Sequence, residues 1–415
     1  VQIPQETNRF NNPFAGKTLT PTFYDDADAA IEKIRKGDLK IKVIGQSGTA
    51  VPNAVINIKQ TRHKFRFGSA ISSTILSGSG EDSTKYKRLF LELFNTATPE
   101  NDLKWQAVDW QLPMTAKQLL DWCQRNNLNV RGHNLLAPQK FSIPKAMVEL
   151  NSQELSKQIE AHIKTYAKNF RGKVYVWDVL NEAVSDSSAV GGIDSPILGK
   201  AYKWVHEIDP DALLAYNDFD ILDYDNIRAD GKAERVKAFL ISLLNRQAPV
   251  SAIGLQSHMN IPLIRGQEIH RQLDRFAALG LPIEITEYDL PMPDDKLQSD
   301  YLKEFMTATF SHPAVTTFVM WGFWQPAQFL GKEGGSLVRD DWSERPALAT
   351  YRNLVFKKWW SNLETRTDER GESIARVFLG EHEVEVRAGG KSIKQSVSVN
   401  SNTTPTPLLI CVPEL

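Results

Sequence analysis

Two short runs of residues could carry out chemistry: Trp177-Asp178-Val179-Leu180-Asn181-Glu182 and Ile285-Thr286-Glu287-Tyr288-Asp289. Each is a strand-forming run that closes on carboxylates. They stand about a hundred residues apart, with alternating helical and strand patterns between them. Two carboxyls at the ends of different strands suit the cleavage of a glycosidic bond. One protonates the leaving oxygen while the other attacks the sugar carbon or activates water. A single Glu at a strand end is more often a buried or capping carboxylate. The residues around this pair argue against that reading here.

Ile283, Ile285 and Glu287 alternate onto one strand face, so two apolar residues point inward and the carboxylate emerges beyond them. Gly254, Gln256 and His258 share a face in the same way, which predicts Gln256 and His258 beside Glu287. A His there can donate a hydrogen bond to the carboxylate, orient it and keep it ionised. Asn181 precedes Glu182, and an amide at that point can hold a sugar 2-hydroxyl. Glu100, Asn101 and Lys104 form a polar cluster before Trp105, suited to hydroxyl groups. His133 and Asn134 follow Arg131-Gly132. Trp321 and Trp324 offer flat apolar faces for pyranose rings, whereas Trp177 reads as core.

These residues need elements to position them. Eight β-rich runs alternate with amphipathic helical stretches: 65–72, 96–105, 129–136, 174–182, 213–219, 252–259, 282–289 and 315–324. Helical patterns lie between them, for example over 152–170 and 233–245. Eight strand-then-helix units predict a (β/α)8 TIM barrel, class α/β, with the polar motifs at the strand ends where such barrels build active sites. A doubly wound open sheet is the alternative. It lacks support because no Gly-rich phosphate turn follows the first strand. The flanks differ in style. Leu39–Val43, Ala54–Ile58, Ala375–Leu379, Glu381–Ala388 and Ile393–Val399 alternate apolar and polar residues as half-buried strands do. Neither flank alone has enough strands for a stable sandwich, but together they do. The segment Gly48 to Ala54 and the tail each resemble half of a carboxypeptidase regulatory-like β-sandwich. The expected organisation is an extension over 1–38, a small β-sandwich from 39–60 plus 362–415, and the catalytic barrel over 61–361. A separate C-terminal module is the alternative.

Composition narrows the partners. The chain has 415 residues and a net charge of −1, which suggests neither nucleic acid nor an acidic membrane surface. No apolar run approaches the ~20 residues of a membrane span. Val1–Asn12 has no basic-then-apolar pattern and reads as a mature N-terminus after processing or a cytosolic start. Cys123 and Cys411 have no metal-ligand neighbours at useful spacing and read as free thiols.

The motifs together resemble glycoside hydrolase family 10, the endo-β-1,4-xylanase family. They are Glu100-Asn101-Asp102-Leu103-Lys104-Trp105, Arg131-Gly132-His133-Asn134-Leu135, the run 177–182, Tyr216-Asn217-Asp218, Gln256-Ser257-His258, Ile285-Thr286-Glu287 and Trp321-Gly322. They follow the family's order over about residues 61–360, and the entry at Gln60–Gly68 with the β-rich flanks looks most like members of plant-type architecture. The resemblance implies a retaining endo-acting hydrolase of β-1,4-xylan that uses neither metal nor cofactor. Glu182 would be its acid/base and Glu287 its nucleophile. Glu100, Asn101, Lys104, His133, Asn181, Gln256, His258 and Trp321 would line the glycone side. It further implies a polysaccharide or oligosaccharide substrate, a monomer, and a secreted or extracellular location. Two positions depart from the pattern: Ala137 and Phe329 stand where the family usually has Trp. A decorated or different β-glycan is therefore an alternative substrate, and a carbohydrate-binding barrel with weak or lost activity is an alternative function.

Overall fold

The computed structural model describes residues 13–14, 18–224, 231–402 and 406–413. Val1–Asn12, and part of the polar loop Ser401–Pro407, lie outside the described residues. The strands are β1 (Lys36–Gly45), β2 (Val55–His63), β3 (Arg66–Ile71), β4 (Thr96–Pro99), β5 (Asn129–Gly132), β6 (Val176–Asn181), β7 (Leu213–Asp218), β8 (Ala252–Leu255), β9 (Ile283–Tyr288), β10 (Val315–Met320), β11 (Asn362–Arg366), β12 (Glu372–Phe378), β13 (Gly380–Ala388), β14 (Lys391–Val399) and β15 (Leu408–Val412). The chain divides into two compact units, residues 1–21 with 66–348 and residues 22–65 with 349–415.

The larger unit is a closed barrel of parallel strands in the order β10-β3-β4-β5-β6-β7-β8-β9. Each of the eight predicted runs contains one barrel strand. The strands are shorter than the runs at their C-terminal ends. Glu100–Trp105, His133–Leu136, Gln256–Met259 and Trp321–Trp324 leave the ladder and form the barrel mouth. Among them Glu100, Asn101, Lys104, His133, Gln256, His258 and Trp321 line the cleft. All six residues of β6 and of β9 are buried. Burial on both faces is expected of parallel strands covered by helices outside and by side chains within. The helix Ser152–Asn169 buries Leu155, Ile159, His162, Ile163 and Ala167 on one stripe. Asn151 caps it by accepting from the Gln153 and Glu154 amides. Thr115 and Gln118 close a reciprocal capping box on the helix Ala116–Arg125. Pro13 and Phe14 strap this unit: the Leu263 amide donates to the Pro13 carbonyl at 2.6 Å, and the Arg265 guanidinium lies 3.8 Å from the Phe14 ring centre.

The smaller unit has two sheets, β12-β1-β15 and β11-β2-β13-β14. β1 runs antiparallel to β12 from Lys36↔Phe378 to Lys42↔Glu372, and parallel to β15 from Ile41↔Leu408 to Gly45↔Val412. Thus a strand from one flank lies between two strands of the other. The sheets share a core of Leu39, Ile41, Val43, Ile56, Ile58, Val377, Val384, Val386, Ile410 and Val412. Sequence reading did not anticipate three elements here. The helix Phe23–Arg35 carries Glu32, which accepts from Arg376 at 2.9 Å. β11 exposes Asn362, Glu364 and Arg366 and offers little apolar pattern, and β15 is short. Ile56 is fully buried between these sheets. Ile56→Ala should therefore lower stability by about 2–5 kcal/mol through lost burial and a residual cavity, read by chemical denaturation. A loss below 0.5 kcal/mol would mean that this core is not closely packed around β2.

Candidate active site

A cleft of about 560 Å³ opens beyond the C-terminal ends of the barrel strands. Glu100, Asn101, Lys104, His133, Asn181, Glu182, Gln256, His258, Glu287 and Trp321 all line it. They come from β4, β5, β6, β8, β9 and β10 or from the residues directly after them. Residues remote in sequence meet because the barrel brings every strand end to one mouth.

Glu182 and Glu287 are joined by a chain of side-chain amides. Asn217, on β7, donates to Glu287 Oε1 at 2.7 Å and to Asn181 Oδ1 at 3.0 Å. Asn181 donates to Glu182 Oε1 at 3.1 Å, and Gln256 donates to the same oxygen at 2.9 Å. Thr286 Oγ1 donates to Asn217 Oδ1 at 2.7 Å and fixes which way that amide faces. The two carboxyls thus sit in one hydrogen-bonded network, held by neutral donors.

Their surroundings push them in opposite directions. Burial raises the Glu182 pKa above its ordinary 4.5; the Gln256 hydrogen bond opposes this, and the charges of Glu287 and Asp218 add to it. Burial also works against charge on Glu287. His133, His258 and Asn217 outweigh it and hold that carboxyl down at about 2. His258 presents Nε2 to Glu287 at 3.3 Å and Nδ1 to Asp289 at 3.0 Å. With a carboxylate at each nitrogen it stays protonated despite its burial, its pKa raised to about 10. His133 Nδ1 lies 2.9 Å from Asp178 and 3.8 Å from Glu287. The Trp321 ring meets His133 and His258 edge-on, with centroids 5.2 and 6.4 Å apart. Lys104 Nζ donates to Asn101 Oδ1 at 3.3 Å and lies 5.9 Å from the Trp321 ring centre. Burial raises the pKa of Glu100 beside them.

Under the cleft lies a charged core. Arg131 is wholly buried and pairs with Asp178 on β6 and Glu284 on β9. Thr317 Oγ1 completes Glu284 at 2.9 Å. Gly254 makes room for this cluster: a Cβ there would come within 2.3 Å of Asn217 Oδ1 and 2.9 Å of Arg131 Nη2. Gly132 similarly lies against the Trp177 ring, 2.3 Å from where its own Cβ would stand. Trp177 is a core residue with no exposure.

The structure corrects three sequence-based expectations. Glu284 and Thr286, rather than Ile283 and Ile285, point under the cleft to Arg131 and Asn217, and an irregularity in the β9 ladder after Ile285 brings Glu287 to the same network. Trp324 does not line the cleft. It is 4% exposed and stacks on Trp342 with centroids 4.5 Å apart, behind the wall rather than on it. Simple alternation does not place His258 either. β8 ends at Leu255, and Ser257 adopts a left-handed φ of 66° that breaks the two-residue period. The bridge between His258 and Asp289 aims the imidazole instead. Sequence reading assigned no site role to Asn217, Asp178 or Asp289. The signal was present for Asn217, an inward polar residue near a barrel strand end like Gln256. Phe141 and Phe219 also line the cleft from loops, where no periodicity marks them. Phe141 and Phe329 are 76% and 82% exposed at its rim. Among the described residues, His270, Asp274 and His312 bring donor atoms within 4.8 Å of one another, close enough to suit a cation. Hydrogen bonding occupies His312 there: Nδ1 accepts from the Ala314 amide, which leaves the proton on Nε2, 3.2 Å from Asp274. None of the three lines the cleft.

The profile of glycosyl hydrolase family 10 matches residues 57–354. An endo-1,4-beta-xylanase B of Thermotoga neapolitana is 30% identical over 299 residues, covering 67% of this chain and 85% of that protein. Endo-1,4-beta-xylanase 1 of Arabidopsis thaliana is 29% identical over 364 residues, and an anti-sigma-I factor of Acetivibrio thermocellus is 28% identical over 382. Those matches cover 86% and 91% of this chain, which spans 37% and 48% of the two relatives' lengths. Among solved structures, xylanase 10B of Thermotoga petrophila, determined with xylobiose, is 30% identical with a TM-score of 0.62 and covers 71% of this chain and 95% of that one. The barrel, the cleft at its mouth and these matches lead to one conclusion: the chain belongs to glycosyl hydrolase family 10.

Proposed function

We propose that this chain cleaves internal β-1,4 linkages of xylan by a retaining double displacement. The observation that carries the reading is the geometry of two carboxyls in one hydrogen-bond network, Glu287 facing His258, His133 and Asn217 and Glu182 met by the neutral amides of Asn181 and Gln256. Glu287, held ionised by His258, His133 and Asn217, is the nucleophile. Glu182, whose burial favours its proton, is the general acid. Glu182 protonates the glycosidic oxygen while Glu287 attacks the anomeric carbon. The leaving chain departs with that proton, and a glycosyl ester to Glu287 forms. Glu182, now ionised, takes a proton from water as the water displaces Glu287 and restores the original configuration. Glu100, Asn101, Lys104 and Trp321 offer hydrogen bonds and a flat face to the glycone sugars. A polymeric substrate outside the cell would call for secretion, which we propose on that ground alone; no described helix is long and apolar enough to cross a membrane. The small Ala137 in the cleft favours a second reading, a barrel that binds glycan with weak or lost activity. Turnover of soluble xylan, assayed beside affinity for the same polymer, separates the two readings.

Three measurements test this assignment. First, the two carboxyls should stand about 5–5.5 Å apart in a crystal structure. Glu287→Ala should abolish turnover on every substrate. Glu182→Ala should spare aryl glycosides with good leaving groups, with azide accelerating the second step. Equal losses on activated and unactivated substrates would overturn the roles.

Second, pH should act on the two carboxyls in opposite senses. The depressed pKa of Glu287 places the acid limb of kcat/KM low, and the raised pKa of Glu182 sets the alkaline limb. Because folding raises the Glu182 pKa, its favourable contribution is complete below 4.5 and is lost as pH rises through the folded value. Glu182→Gln should therefore raise Tm more at neutral pH than at pH ~4. A pH-independent difference in Tm would contradict the raised pKa.

Third, Ala137 lines the cleft as a small side chain. It leaves room for a bulkier ring substituent and gives a weaker grip on plain xylan. Ala137→Trp should raise kcat/KM on linear xylan and lower it on a glucan bearing hydroxymethyl groups, by about tenfold for ~1.4 kcal/mol of contact. An unchanged ratio would remove Ala137 from the specificity determinants.

A further inference from the structure

β6 ends at Asn181, and Glu182 turns the chain with φ 60°, a left-handed conformation unfavourable for a residue with a side chain. Such a conformation persists only where surrounding contacts fix it. Most of those contacts come from the end of β7. The Glu182 amide donates to the Asn217 carbonyl at 2.8 Å. The Val184 amide donates to the Tyr216 hydroxyl at 3.0 Å. Ser185 Oγ stands 3.4 Å from Asp218 Oδ1. The Tyr216 hydroxyl in turn donates to Asp218 Oδ2. An ionised carboxylate only accepts, so Asp218 fixes the sense of this chain. The hydroxyl proton goes to Asp218, and the oxygen lone pair remains for Val184.

Asp218 has no exposure, and its charge there requires a partner. Lys232, the first residue of the helix Lys232–Asn245, supplies it, with Nζ 2.7 Å from Asp218 Oδ1. The lysine is itself 5% exposed. Its ammonium also lies over the ring of Phe219, 3.0 Å from the centroid, and Phe219 lines the cleft. Lys232 does not line the cleft, so it touches the reaction only through others.

We propose that the buried Lys232–Asp218 pair, acting through Tyr216, is a positioning device for the turn Glu182–Ser185, and that Lys232 is a positioning residue for proton delivery to the leaving oxygen. The inference rests on the reading of Glu182 as general acid. Without Lys232, the buried Asp218 carboxylate loses its paired cation and no longer keeps its place. The Tyr216 hydroxyl then loses its fixed acceptor, Val184 loses its fixed partner, and the Glu182 carboxyl leaves its line to the leaving oxygen. Glu287, on β9 and held by His258 and Asn217, keeps its place.

The test uses kcat/KM, which reports glycosyl transfer to Glu287, across aryl β-xylobiosides of graded leaving-group acidity. Active enzyme is counted by a mechanism-based 2-deoxy-2-fluoro glycoside, so a misfolded fraction does not enter the rates. Lys232→Met and Tyr216→Phe should each lose about 10–100-fold on poor leaving groups, a share of what a positioned acid supplies. Dinitrophenyl substrates should lose less than about threefold, since they need little protonation. Lys232→Arg, which keeps the charge, should recover much of the loss. Equal losses across the series, or none, would overturn the inference. Glu182→Ala, measured in parallel, distinguishes the two levels. If it shows the leaving-group selectivity and Lys232→Met does not, the positioning role fails while the acid assignment stands. If Glu182→Ala lacks it, the acid assignment fails, and this inference with it.

Discussion

Arg131 lies wholly inside the barrel, where an unpaired guanidinium would be untenable. Its charge is met by Asp178 and Glu284, two carboxylates from strands that are not neighbours of each other. Removing one partner from such a buried group costs about 3–5 kcal/mol, because the charge left behind has no water to turn to. Much of the site follows from this requirement. Asp178 is held by Arg131 on one side and faces His133 on the other. His133 therefore presents a fixed imidazole to the cleft, and Glu287 feels it. Gly254 has no side chain where Arg131 and Asn217 need the volume. The floor of the cleft is thus an ionic lattice rather than an apolar layer, and the reacting carboxyls stand on it.

Above that floor, two glutamates with the same intrinsic chemistry are separated by environment. Both are largely buried, and burial favours the neutral acid in each. Glu287 escapes because two histidines and an amide surround it, one histidine being locked as a cation between Glu287 and Asp289. Glu182 receives amide hydrogen bonds from Asn181 and Gln256 and, among the described residues, has no cation as a direct partner of its carboxyl. Its proton is further favoured by the negative charge of Glu287. The same charge that makes one carboxylate nucleophilic therefore helps its partner remain an acid. Neither state could be assigned from either residue alone.

The barrel also explains why function tolerates irregular backbone at this end. Glu182, Ser257 and Gly322 have positive φ values of 60°, 66° and 100°. All three directly follow the strands or lie within two residues of their ends, where the ladder has stopped and the chain must turn over the mouth. The hydrogen bonds that hold these turns come from neighbouring strands, so the regular part of the barrel supports the irregular part that does chemistry.

The amino-acid sequence determined the eight strand units, because run length and composition record buried strands. It marked the two carboxylates by their place at strand ends, although the β9 irregularity after Ile285, and not simple alternation, turns Glu287 to the cleft. It also marked most of the cleft, since polar residues at the ends of apolar strands have few other reasons to be there. Trp324 could not be placed that way. Its neighbour Trp321 faces the cleft while it stacks on Trp342, and nothing in the local pattern separates two indoles three residues apart. His258 was found for an incomplete reason, as its strand had already ended and Asp289 aims its ring. Asn217 was visible as an inward polar residue, but its place between the two carboxyls depends on the register of β6, β7 and β9. Phe141 and Phe219 lie on loops without periodicity. Proton affinities were the least legible of all. They arise from which charges end up within a few ångströms of each other, and that distance is a property of barrel closure rather than of any segment of chain.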